Sequence, residues 1–70
     1  MEEMEVLIGK RIRKKRLSQK LTLQYLADKV GISKAMLSKI ELGKVSTQIS
    51  TYSRIAKNLV IVLSLLIGEM

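Results

Sequence analysis

An all-α fold, a compact bundle of four to five short helices, is what this 70-residue sequence predicts. Three observations point to it. Apolar residues recur at helical spacing through most of the chain. Gly31 and Gly43 fall where that periodicity breaks, as helix stops should. No Pro interrupts the stretches between them.

Residues 4–18 read as a first helix, with Ile8 and Ile12 on one face and Leu17 near its end. Glu2, Glu3 and Glu5 stand at its start and Lys14, Lys15 and Arg16 at its finish, the order that suits the helix macrodipole. Thr22 is placed to cap a second helix, in which Leu23, Leu26, Ala27 and Val30 form a complete i, i+3, i+4, i+7 stripe. Gly31 can take the left-handed conformation that ends it. Ser33 is the next N-cap, opening a helix that runs through Glu41 or Leu42. On it Met36, Leu37 and Ile40 share one arc, and Lys34, Ala35, Ser38 and Lys39 the opposite one. Gly43 stops this helix and 44–47 form a polar loop. Ser46 or Thr47 then caps a fourth helix, where Ile49, Tyr52, Ile55, Ala56 and Leu59 repeat at helical spacing.

Residues 60–67 carry no charge and begin with β-branched side chains, which suits either a strand or a short fifth helix. A strand is the slightly favoured reading. Pairing with the same strand of a second copy would cover an exposed apolar edge. It would also enlarge a small core, since a chain of this length buries only about 60% of its unfolded surface.

Composition narrows the function. There is no Cys and no His, so disulfides, zinc fingers and histidine-based catalysis are excluded, and no cofactor or metal is expected. An enzyme is not expected, because so short a chain has no deep pocket to shape a site. The acidic start is unlike a signal peptide. The uncharged apolar stretch at 59–67 falls short of the roughly 20 residues a membrane span needs. A soluble, cytoplasmic protein with no membrane association is expected. Thirteen Lys and Arg against six Asp and Glu give a formal charge of +7, a field that favours polyanions. Tyr25 and Tyr52 are the only aromatic residues, so binders that stack single-stranded bases on rings lose ground to duplex DNA. The basic run at 10–16 (KRIRKKR) also has a plain reading as a solvated helix face. Beyond that it supplies a field that steers DNA, with Arg11 or Lys15 near phosphate.

The spacing Leu26-Ala27, Gly31-Ile32-Ser33, Leu37, Ile40 meets several demands at once. Ala27 is small where a second helix crosses closely, Gly31 permits the sharp turn, and Leu37 and Ile40 anchor the second helix from below. Its outward face is left free for a major groove. With Ile8-Gly9-Lys10-Arg11-Ile12-Arg13, Arg16, Leu21-Thr22-Leu23, Ser38, Glu41 and Gly43-Lys44, the stretch closely resembles the Xre-like, phage-repressor-type helix-turn-helix family over about residues 7–59.

The resemblance implies a lambda-repressor-like all-α domain over 1–70, with its helix-turn-helix unit at 22–42 and a dimerisation segment at 59–68. It implies a homodimer that regulates transcription at a palindromic operator, as a repressor or an activator. Ser33, Lys34, Ala35 and Lys39 match positions that read base edges, with Ser38 close by and Met36 placed to touch backbone or a thymine methyl. Arg16 and Glu41 match a salt bridge joining the first helix to the recognition helix, and Gly43 and Lys44 a phosphate-contacting loop.

Departures from the family pattern are Leu23 where Gln is usual, with Gln24 next as the phosphate contact, Thr47 for a frequent Pro, and Val60 for a frequent Gly. The acidic residues usual in a fifth helix are missing from 60–67. The last two changes resemble HipB-type antitoxins, whose chains end in a dimer-forming strand. The sequence thus predicts a DNA-binding repressor, with an antitoxin that also binds a protein toxin as the alternative. Leu59, Ile61, Leu63, Leu65 and Ile67 are its candidate dimer interface.

Overall fold

The computed structural model describes residues 2–59. They form α1 (Glu2–Ser18), α2 (Leu23–Val30), α3 (Lys34–Glu41) and α4 (Ile49–Asn58), with no strand among the described residues. The expected strand or fifth helix at 60–67 and the interface residues Ile61, Leu63, Leu65 and Ile67 lie outside the described residues, as does the antitoxin-like ending.

Each helix start and stop has a local cause. Thr22 and Ser33 are extended at the N-caps of α2 and α3, and each side-chain oxygen accepts a hydrogen bond three residues on, from Tyr25 N and Met36 N, both at 3.0 Å. The first three helices end the same way. A residue with positive φ follows the helix, and the next amide donates to a carbonyl five residues back. Leu21 N reaches Arg16 O at 3.1 Å past Lys20 (φ 60), Ile32 N reaches Ala27 O at 3.0 Å past Gly31 (φ 88), and Lys44 N reaches Lys39 O at 3.0 Å past Gly43 (φ 74). Lys20 is the exception in residue type, a side-chain-bearing residue in a conformation that glycine fills at no steric cost.

α4 departs from expectation at its start. Neither Ser46 nor Thr47 caps it; the N-cap is Gln48, whose side chain makes no capping bond. Thr47 is instead half-buried and its backbone hydrogen-bonds the buried Tyr52 side chain. Ile49, predicted on the apolar stripe, is exposed at 60%, although Tyr52, three residues on, is buried.

α3 lies between α1 and α2, and α2 also packs on α4. Ile12, Leu26, Leu37, Ile40, Ile55 and Leu59 are the largest fully buried side chains, each worth about 1.5–3 kcal/mol when removed from water. Ala27 is completely buried. Leu59, placed by the sequence in the dimer segment, is spent on the chain's own core and exposes nothing. Its carbonyl accepts the Gln19 side-chain amide at 2.8 Å, tying the end of α4 to the turn after α1.

Candidate nucleic-acid interface

α3 has two unlike faces. Leu37, Ile40 and Glu41 are buried, while Lys34, Ala35, Met36 and Lys39 are exposed and Ser38 is half-buried at the boundary. Met36, grouped by spacing with Leu37 and Ile40, stands at the rim of that arc and is 41% exposed. Ser33 is exposed at the N-cap, and Lys44 is exposed just beyond Gly43. One short helix and its flanks thus gather Ser33, Lys34, Ala35, Met36, Lys39 and Lys44. Gln24 stands apart, exposed on α2, with its amide nitrogen donating to Asp28 Oδ1 at 2.8 Å.

What fixes α3 from behind is an ion pair between residues 25 apart. Arg16 Nε donates to Glu41 Oε2 at 2.7 Å and Nη2 to Oε1 at 2.9 Å, with the two side chains only 6% and 3% exposed. This two-pronged geometry holds both distance and orientation. The third guanidinium nitrogen, Nη1, donates to Leu21 O at 2.8 Å, so one side chain ties α1 both to α3 and to the turn before α2. The hydrogen bond to Glu41 raises the Arg16 pKa above its ordinary value against the opposing effect of burial.

Spacing alone does not show two features. Gly9 is not a break in α1 but a buried contact. A Cβ there would stand 2.5 Å from Ile40 O and strike Glu41 O as well, so its absence lets α1 lie directly on the C-terminal carbonyls of α3. A glycine inside a run of good helix formers costs about 1 kcal/mol against Ala, which is the signal that it does something else. The second feature is electrostatic. Glu41 is the only acidic residue between Asp28 and Glu69. Its burial against Arg16 leaves the described surface from Lys29 onward with cations and no anion. A low-dielectric wall behind such a surface strengthens its field.

The helix-turn-helix family model (HTH_3) matches residues 12–59, more than half of the chain. The chain belongs to this helix-turn-helix family. Membership makes it a DNA-binding transcription regulator. No curated protein matches this helix-turn-helix chain.

Solved structures do match. The clp gene regulator ClgR from Corynebacterium glutamicum superposes with a TM-score of 0.89 at 20% identity, over 93% of this chain and 69% of that one. An HTH_3 family transcriptional regulator from Vibrio cholerae gives 0.85 at 33% identity over 96% of this chain, which spans only 38% of that protein. The restriction-modification controller protein C.AhdI from Aeromonas hydrophila gives 0.84 at 24% identity over 89% and 94% of the two chains. At 20% and 24% identity, ClgR and C.AhdI attest the fold. Among the described residues of this helix-turn-helix domain no helix is long and apolar enough to cross a membrane.

Proposed function

We propose that this domain is a sequence-specific duplex-DNA-binding repressor, acting as a homodimer in the cytoplasm at a palindromic operator. The observation that carries the reading is the exposed face of α3, which sets Lys34 and Lys39 outward over a rigid apolar anchor while Glu41, the one acidic residue of α3, is buried. Lying in a major groove, this face would offer Ser33, Lys34, Ala35, Ser38 and Lys39 to base edges and Met36 to a thymine methyl. Lys44 and Gln24 would hold phosphates. Neither α2 nor α3 has an acidic residue in its first turn, so nothing opposes approach of a phosphate to their free N–H groups. Arg16 and Glu41 act through position, by keeping α3 in register with α1.

Dimerisation through residues 59–68, with Leu59 itself kept in the chain's own core, would set two α3 helices about 34 Å apart, one turn of DNA. With roughly 6–10 phosphates neutralised per dimer, affinity should fall steeply as salt rises. No cofactor is needed. Selection of bound fragments from random duplex DNA tests the reading: enrichment of a twofold-symmetric site with half-site centres about 10 bp apart is expected, and a pool with no enriched sequence would overturn it. Leu65→Glu should convert the dimer to a monomer with weakened operator binding. Sedimentation that still returns a dimer would remove 59–68 as the interface.

A further inference from the structure

The DNA-binding face uses the cations of α3 and the loop after it, and leaves those of α1 unexplained. Lys10, Arg13 and Lys14 are exposed on α1 and line a shallow open groove of about 280 Å³ together with Leu17. Leu17 is 47% exposed and Leu7, one turn before Lys10, is 46% exposed. Ile8, Ile12 and Arg16 on the opposite side of α1 are buried. No acidic residue occurs between Glu5 and Asp28. Among the described residues Lys10, Arg13 and Lys14 make no ion pair. The groove is therefore cationic at its rim and apolar within, along a helix face that no described residue covers.

The cationic face of α1 is carried by a different helix from the exposed face of α3, and the two helices meet through Gly9 and the Arg16–Glu41 pair.

We propose that the groove on α1 docks an acidic amphipathic helix of a partner protein, at a surface separate from the DNA-binding face of α3. Charge complementarity sets the sign of the partner. Leu7 and Leu17 favour a helix over a second duplex, because a phosphate backbone offers nothing for leucine to cover. Leucines as far apart as Leu7 and Leu17 likewise favour a helix over an anionic membrane, which takes up a broad continuous apolar face. The small contact area makes the complex transient and dependent on salt. The inference stands apart from the reading of α3, and its test separates the two.

The probe is a fluorescent synthetic helix with Glu and Leu on one face, compared with a scrambled peptide of the same composition. The ordered peptide should bind the full chain, perturb the amide resonances of Lys10, Arg13, Lys14 and Leu17, and bind unchanged when duplex DNA saturates the protein. Reversing two rim charges, Lys10→Glu with Lys14→Glu, should weaken it about tenfold, and Leu17→Ser should weaken it too, with circular dichroism confirming that both variants fold. Lys34→Ala with Lys39→Ala should weaken DNA binding about tenfold or more and leave the peptide bound. Equal binding of the scrambled peptide, perturbations mapping to α3, or displacement by DNA would each overturn the proposal. So would an α1 face that leaves the peptide unbound while taking up a second duplex or phosphatidylserine vesicles.

Discussion

Replacing Arg16 by Met probes the contact that holds α3 against α1. The substitution keeps a long side chain but removes the three hydrogen bonds of 2.7, 2.9 and 2.8 Å to Glu41 and Leu21. It leaves the Glu41 carboxylate, 3% exposed, without its partner. Leaving a buried charge uncompensated costs about 3–5 kcal/mol. At about 0.05–0.15 kcal/mol per residue, a domain of 70 residues has roughly 4–10 kcal/mol in all. The single variant should thus lose a large part of that stability, and all of it only at the low end of the range. Removing both charges is a different matter. Arg16→Met with Glu41→Leu exchanges an ion pair for apolar contacts, which is often neutral and can be stabilising. The double variant should recover much of what the single one loses, a non-additivity of about 0.5–3 kcal/mol or more. Urea unfolding followed by far-ultraviolet circular dichroism, run on the wild type, both single variants and the double, measures it. Effects that simply add, to within about 0.5 kcal/mol, would refute the argument.

Two further perturbations test the packing and the core. Gly9→Ala should destabilise despite the better helix propensity of Ala, because the added Cβ overlaps the carbonyl oxygens of Ile40 and Glu41. A loss of about 1–3 kcal/mol in urea unfolding is expected, and a gain would show that α1 does not press on α3. Burial raises the Tyr52 pKa above its ordinary value of 10.0, with the Thr47 backbone hydrogen bond opposing the shift. The folded state then holds the phenol proton more tightly than the unfolded state. The stability linked to it is complete below pH ~10 and is lost as pH climbs through the raised folded value. Tyr52→Phe should flatten that alkaline decline in thermal melts, and an unchanged profile would mean that Tyr52 titrates alike in both states.

Much of this fold can be read from local chemistry. Thr22 and Ser33 cap helices because a short side-chain oxygen can reach an amide three residues on, and Gly31 ends α2 because the turn needs positive φ. Such causes act within a few residues and leave a pattern in the chain. Contacts made across the fold leave less. In the sequence, only family resemblance pairs Arg16 with Glu41, since 25 residues separate them and an arginine in a basic run looks like any other. The role of Gly9 depends on the path of α3, which α1 alone does not encode. At α4, Thr47 has the residue type of a cap, but its backbone bond to Tyr52 and half-burial place it before the cap. Ile49 keeps the helical period of its neighbours yet is exposed, so period alone does not show where the core ends. The same limit applies to the candidate DNA contacts. Lys34 and Lys39 are legible as outward residues, whereas the burial of Glu41, which takes the one anion of α3 off its surface, is revealed only by the assembled fold.

The most direct measurement is the affinity for a selected duplex across a range of salt, for the wild type and for Lys34→Ala with Lys39→Ala. A steep linear fall of log affinity with log salt is expected for the wild type. For the variant the slope should be shallower by about one for each phosphate it no longer neutralises, and affinity at fixed salt should drop by about tenfold or more. Identical affinities and slopes for the two proteins would contradict the account, since the double helix would then be resting on some other surface than α3.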